Sequence, residues 1–516
     1  MPSFSLVFLI AVLTNLVLSF VLSSWRHKRT ERKLGCEPAP LCPHKDPLGI
    51  SNILEILQAE QEKRVPDIFE HRVQRTSNRE KRSVSTFRVR QLGQESIFTC
   101  DPTNIKTILA TKFEDFDLGE ARVKGFRPLL GTGIFTSSGI AWKGARSMLR
   151  PQFSRRQLSH LDIVETHVQK AMRALPVGSD GWTAEVNLSK VFFNLTMDTA
   201  TEFLLGESAE SQTGSLGAGK SVPNDFSVQF DKAQWYIARR AGFGLHWILD
   251  GQDFRRSCRQ VHNFLDHYVE LALHDVSGAT TADQDSSDKY VFLNALVHVT
   301  QDSAELRSHI ANVLLAGRDT TACLLSWTII LLGRHPEIFK KLRQAIIAEF
   351  GTYEHTDTIH FTSLKACHYL QWCLKEVLRL FPPVPFNYRC AVKDTTLPMG
   401  GGEHGTSPVY IRKGQAVMYH PHVLHRAEEI WGANASDFIP ERWSTLRTRW
   451  EYIPFNGGRR ICVGQQFALT EAAYVLVRFI QRFDELDVLT NPTNRYNLTL
   501  TSSPADPLVV RLHQDA

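Results

Sequence analysis

The segment Phe455-Asn-Gly-Gly458-Arg-Arg460-Ile-Cys462-Val-Gly464 sets one cysteine inside a glycine-rich turn that runs directly into an apolar helical pattern, QQFALTEAAYVLVRFI. No other stretch constrains the chain as strongly. Glycines at 457, 458 and 464 are expected to let the backbone turn tightly and aim its N–H groups at the sulfur. A helix opening after Gly464 adds its positive end to the same atom. Both effects are expected to keep Cys462 ionised, in a shape suited to the fifth ligand of a haem iron. A thiolate there pushes electron density through iron and favours O–O cleavage. Arg460, two residues earlier, is placed for a haem carboxylate. A lone cysteine beside a turn would read as plain core; the complete pattern Phe-x-x-Gly-x-Arg-x-Cys-x-Gly argues against that.

Charge distribution narrows the class further. The formal net charge is +5, and Arg26, Lys28, Arg29, Arg32 and Lys33, less Glu31, account for +4 of it. The remainder is nearly neutral, which excludes a nucleic-acid surface with a spread basic face. The nine cysteines are odd in number and show no paired CxxC spacing, so a disulfide framework is not expected and a reducing compartment is implied. Residues Phe4 to Ser24 are uncharged and rich in Leu, Val, Ile and Phe, spanning roughly 30 Å as a helix, one hydrocarbon core. A cleaved signal peptide competes with this reading, but the basic cluster follows the apolar run instead of preceding it. The positive-inside rule then keeps the cluster and everything beyond it in the cytosol. On this reading the sequons at Asn187, Asn194, Asn434 and Asn497 stay unmodified.

The expected organisation is a transmembrane anchor at 4–24, a basic, Pro/Cys-punctuated linker at 25–49, and one helix-dominated α+β domain at 50–516. Helical periodicity runs through 157–206, 226–274, 302–335, 336–350, 363–381 and 464–483. Short β-rich pieces lie at 84–100, 386–418 and 507–513. Polar interruptions at 206–224 and 277–289 read as surface loops. Within the apolar stretch HIANVLLAGRDTTACLLSWTIILLG, Gly317 costs about 1 kcal/mol relative to alanine, and Asp319, Thr320 and Thr321 are costly to bury without partners. A locally opened helix beside a bound cofactor would explain both, holding water and dioxygen with hydroxyls and freed carbonyls.

The chain resembles the cytochrome P450 superfamily, first in the Cys462 motif and then along nearly everything after the linker. The resemblance implies a mainly α fold with small β-sheets, haem b (iron protoporphyrin IX) held by Cys462, and dioxygen as co-substrate. Asp319 and Thr320 match the family's acid–alcohol pair, which delivers protons during dioxygen cleavage. Trp142 and Arg146 match its Trp-x-x-x-Arg, which with Arg389 and Arg460 would hold the haem propionates. Glu376 and Arg379 match its Glu-x-x-Arg pair, locked by Arg442 of Phe438-Ile-Pro440-Glu441-Arg442 into a buried structural triad. Gly-rich flavin or dinucleotide fingerprints are absent, and the chain ends about 50 residues after Cys462. Electrons are therefore expected from a separate NADPH–cytochrome P450 reductase carrying FAD and FMN, with cytochrome b5 as a further donor, at the endoplasmic reticulum membrane.

Segments such as 115–153, 197–208, 312–322, 382–402 and 455–472 are most similar to fungal P450s that hydroxylate n-alkanes and fatty acids at or near the chain end. Arg459 stands where that branch often has proline, and His420-Pro421-His422 replaces a more apolar stretch. A lipid-like substrate suits the aromatic and aliphatic segments 116–135 and 233–249, with Phe126, Phe135, Trp235 and Trp247 as candidate walls. Attack on a terminal methyl requires a narrow channel, because internal C–H bonds are weaker. Three other readings stand beside this one: a tailoring oxidase of secondary metabolism, a reductase-independent haem-thiolate isomerase or dehydratase, and a non-catalytic haem carrier or sensor.

Overall fold

The computed structural model describes residues 25–154, 161–213, 223–243, 249–278, 290–491 and 493–515, with isolated positions at 14, 15, 18, 22 and 247. The anchor expected at 4–24 lies almost wholly outside the described residues, as do 214–222 and 279–289 of the two polar interruptions. The chain divides into two compact units: Met1–Leu57 with Asp67–Gly119 and Asn387–His420, and Gln58–Pro66 with Glu120–Phe386 and Pro421–Ala516.

The first unit is built on a five-stranded sheet. Strands β1 (Thr86–Gln91) and β2 (Gln94–Thr99) form a hairpin whose turn residues, Leu92 and Gly93, both have positive φ (49° and 77°). That is the backbone a two-residue turn needs to match strand twist. Its other strands are β3 (Phe116–Asp117), β4 (Asn387–Ala391), β5 (Thr395–Gly401), β6 (Ser407–Ile411) and β7 (Ala416–Tyr419). The sheet order is β1-β2-β7-β4-β3, and β5 pairs with β6 separately. The linker is no free spacer here. The amide of Cys42 donates to Arg88 O (2.8 Å), Arg88 N to Pro40 O (2.8 Å) and Glu37 N to Pro408 O (2.9 Å), with Ala39 and Cys42 buried. Buried backbone of this kind has to be hydrogen-bonded, and the sheet edge supplies the partners.

The second unit is helical, and five helices carry its core and site: α1 (Leu188–Leu205), α2 (Pro223–Phe243), α3 (Ser303–Arg334), α4 (His368–Leu380) and α5 (Gln465–Arg482). Caps written into the sequence set their ends. Asp302 accepts hydrogen bonds from the amides of Ala304 and Glu305 at the start of α3, while Asn187 caps α1 and Gly206, left-handed at φ 84°, ends it. Helix α3 is long and apolar enough to cross a membrane, but 78% of its apolar window is buried inside the protein. Leu324, Trp327 and Ile330 of α3 pack with Leu374 and Val377 of α4 and with Leu476 and Ile480 of α5 in one core cluster.

Three expected helical stretches are split, and the 226–274 pattern becomes α2 and Gln252–Gly278. The 157–206 pattern becomes Asp162–Arg173 and α1, separated by a turn through Pro176, Gly178 and Gly181. The 363–381 pattern becomes Phe361–Ala366 and α4, broken at Cys367 (φ −67°, ψ 86°). Short strands at Val186–Asn187, Glu485–Val488 and Val509–His513 form a small sheet, and Tyr496–Leu498 pairs with Ser502–Pro504.

Candidate active site

The Cys462 loop uses its glycines for three different purposes. Gly458 is left-handed (φ 62°), a conformation that favours glycine, and the neighbouring Asn456 shares it (φ 64°). Gly457 is extended, but a Cβ there would sit 2.5 Å from the Trp450 ring. Gly464, by contrast, has φ −90°, and a Cβ would meet only Phe153 at 3.7 Å; its part is to offer its N–H to the sulfur. The amide of Cys462 donates to Phe455 O (3.0 Å), closing the turn. The side chain is accessible yet set deep within protein mass, as on an interior cleft.

Burial pushes the Cys462 thiol up, outweighing the pull of the Gly464 N–H and of Arg146. Both of these pull toward the thiolate, as expected, and a coordinated cation would complete the ionisation, because a metal-bound thiol is deprotonated outright. Around this sulfur the structure gathers Trp142, Arg146 and Arg460. Arg146 donates to Ile461 O (2.9 Å), and Arg460 donates to Ser137 O (3.1 Å). The Arg460 guanidinium lies 4.4 Å from the centre of the buried Trp142 ring, and that of Arg146 lies 5.9 Å from it. A soft metal ligand beside two guanidinium groups fits a metal complex that carries its own anionic groups, as haem does. Arg389 belongs to the other unit. It is buried on β4 and donates to Asn387 Oδ1 (3.1 Å) and Tyr388 O (2.7 Å).

Helix α3 has a single opening. From Ser308 to Leu332 every residue is buried except Val313, Ala316, Gly317 and Thr320, which are half-buried. At 100° per residue these four fall on one face. A Cβ on Gly317 would meet nothing within 4 Å. The helix itself stays α-helical throughout, against the expected local opening. The Thr320 hydroxyl donates to Ala316 O (2.7 Å) and so satisfies the carbonyl that an opening would have freed.

Asp319 is buried beside the guanidinium of Arg318 (3.3 Å), and Arg318 in turn is paired with Asp231 of α2. Burial lifts the Asp319 carboxyl to about 6; Arg318 pulls it down, Asp231 pushes it up, and the Gln234 amide eases it back. One residue beyond Thr320, Thr321 faces Glu471 of α5, an acid invisible to motif reading. Burial raises Glu471 to about 8, and the nearby Thr321 and Thr199 only ease it back. The sequence hint was an acid on the apolar face of FALTEAAYVLV.

The charged triad is assembled as a unit. Arg379 donates to both oxygens of Glu376 (3.0 and 2.8 Å), Arg442 Nε to Glu376 Oε1 (2.8 Å), and Trp443 Nε1 to Oε2 (2.9 Å). Arg379 also donates to the carbonyls of His425, Ala435 and Asp437, the segment that leads toward the cysteine loop.

The four candidate walls do not share one environment. Phe126 is core, packed with Leu129 and Ile237. Phe135 is half-buried, with its amide donating to Asn312 Oδ1 of α3 (3.1 Å), next to the open stripe. Trp235 is 41% exposed with the Arg239 guanidinium stacked on it, and Trp247 is 69% exposed. Both tryptophans therefore lie at the surface instead of on an interior wall; for Trp235 the reason is that the face of α2 that turns inward carries Phe230, Ala233 and Ile237.

Comparison with known proteins agrees with this geometry. The family model described as Cytochrome P450 matches residues 46–510. "Cytochrome P450 monooxygenase g430" of Fusarium sp is 45% identical, covering 98% of this chain and 90% of its own. "Cytochrome P450 monooxygenase alt2" of Alternaria solani is 38% identical over 97% and 95%. "Cytochrome P450 52A13" of Debaryomyces hansenii is 46% identical over 78% of each chain. With its helical body, small sheets and cysteine loop, the chain belongs to the cytochrome P450 family and is a haem-thiolate monooxygenase.

Proposed function

We propose that this monooxygenase hydroxylates the terminal carbon of a fatty acid or n-alkane, as an enzyme anchored in the endoplasmic reticulum membrane through residues 4–24 with its catalytic body in the cytosol. The observation that carries the substrate reading is the opening on α3. Its four half-buried residues, Val313, Ala316, Gly317 and Thr320, are small and mostly apolar, the lining that suits a narrow aliphatic chain end. The resemblance to fungal alkane and fatty-acid hydroxylases points the same way.

When bound, haem b supplies the iron centre that activates dioxygen, with electrons from NADPH passed through a separate flavoprotein reductase. Cys462 Sγ would hold the iron. Trp142, Arg146 and Arg460 would hold its propionates by charge-assisted hydrogen bonds. Asp319, whose carboxyl is lifted to about 6, exchanges protons near neutral pH, and the Thr320 hydroxyl on the open face passes them on.

The test is spectral titration of the purified protein with fatty acids, n-alkanes and ω-hydroxy acids, followed by mass spectrometry of products formed with reductase and NADPH. A terminal alcohol from an aliphatic chain is the expected product. Failure to bind any aliphatic chain, with turnover of a ring-bearing metabolite instead, would replace the lipid reading with that of a tailoring oxidase.

A further inference from the structure

Arg318 is buried between two acids carried by different helices. Its Nη1 and Nη2 donate to the two oxygens of Asp231 on α2, the Nη2 bond being 3.3 Å, while Nη1 also lies 3.3 Å from Asp319 Oδ1. Phe193 and Phe230 flank the guanidinium, 5.4 and 5.9 Å from their ring centres. Both Nη atoms of this one cation thus bond Asp231, while Arg318 Nε and Asp319 Oδ1 have no hydrogen-bond partner among the described residues. Asp231 is the loose end of the arrangement, with its side chain 57% exposed against 4% for Arg318 and 6% for Asp319.

We propose that Asp231 is a positioning residue for Asp319: by holding Arg318, it ties the seating of α2 on α3 to the supply of protons at Thr320. The proposal rests on the reading of Asp319 as proton carrier. With α2 seated, Arg318 is engaged by Asp231, and Asp319 remains free to hold and release a proton. With α2 displaced, Arg318 turns wholly to Asp319 and locks it as an anion, a closed ion pair that no longer donates. Proton supply is thereby matched to the seating of α2 on α3.

The groups facing Asp319 are few. On α3 they are Arg318 and Cys323, and on α2 they are Asp231 and Gln234. Phe193 of α1 contributes only a ring, Thr501 reaches Cys323 (3.9 Å), and Glu471 of α5 faces Thr321. Only Asp231 among these both repels Asp319 and competes for its cation.

The experiment uses the full-length, haem-loaded protein with its reductase. Product formed per NADPH is measured against pH for wild type, Asp231→Asn, Asp231→Glu and Asp319→Asn, alongside substrate affinity by spectral titration. Asp231→Asn should move the alkaline midpoint down by about one pH unit, a tenfold loss of the protonated acid at a given pH. Affinity should change little, and Asp231→Glu should restore the profile. Hydrogen exchange gives a readout independent of turnover: Asp231→Asn should speed exchange of the amides of α2 several-fold. If Asp319→Asn flattens the profile while Asp231→Asn leaves the midpoint and the exchange in place, the positioning role is overturned and the proton role survives. If Asp319→Asn changes neither profile nor yield, both fall together. Should Asp231→Asn not load haem, an Asp231→Glu midpoint displaced from wild type decides against the proposal.

Discussion

Arg379 grips Glu376 through two parallel hydrogen bonds, 3.0 Å from Nε and 2.8 Å from Nη2, with neither side chain exposed. Arg442 and Trp443 donate to the same carboxylate, so it is fully engaged. A buried pair of this kind adds little over an apolar replacement, but removing one partner strands the other. Glu376→Ala should therefore destabilise the protein by about 3–5 kcal/mol, read from urea unfolding of the purified protein. A loss below about 1 kcal/mol would mean that water replaces the carboxylate at no cost. Because Arg379 also holds the 425–437 segment, haem retention should fall in parallel.

Thr320 is the one hydroxyl on the open face of α3, and its donor is engaged with Ala316 O. Thr320→Ala removes the hydroxyl and one methyl group from a half-buried position outside the fully buried core. The variant should load haem normally and consume NADPH while yielding hydrogen peroxide in place of product. The measurement is product and peroxide per NADPH; an unchanged ratio would dismiss the hydroxyl as a proton carrier.

Gly317 separates folding from function in a single position. An added Cβ meets nothing within 4 Å, so Gly317→Ala should gain the usual helix-interior preference, about 1 kcal/mol in thermal or urea unfolding. The same methyl would project into the only opening along the buried stretch of α3, and product formation should drop several-fold as the substrate chain end is pushed aside. A variant that is more stable and equally active would show that the opening is wider than a chain end.

Legibility in the sequence followed the physical nature of each feature. The ends of α3 and α5 are legible to within a residue or two, because the apolar helical period runs unbroken from 302 to 335 and from 464 to 483. The triad was legible because its three members lie in two short motifs with fixed spacing. By contrast, the break at Cys367 carries no proline or glycine, and a backbone change there is decided by packing. The ties of Arg318 to Asp231 and of Glu471 to Thr199 and Thr321 join residues far apart in the chain, so no local pattern announces them. Trp235 and Trp247 misled because aromatic residues are read as interior by default, whereas an amphipathic tryptophan also suits a surface shared with an arginine.

Glu471 yields a prediction in which the sign can be worked out. Its folded pKa, about 8, lies above the ordinary value of 4.5 because burial disfavours the anion. Below about pH 4.5 the acid is protonated in both states and contributes no pH dependence. Between there and about pH 8 the unfolded chain releases its proton while the folded protein keeps it, so stability declines as pH rises, by up to about 1.4 kcal/mol per pH unit from this group. Above pH 8 the decline levels off. Glu471→Gln keeps the shape but has no proton to exchange. Urea unfolding at a series of pH values should therefore show the wild type losing ground to Glu471→Gln steadily from about pH 5 to pH 8. Parallel curves for the two proteins would mean that Glu471 is ionised in the folded state at neutral pH, held by partners stronger than two threonines.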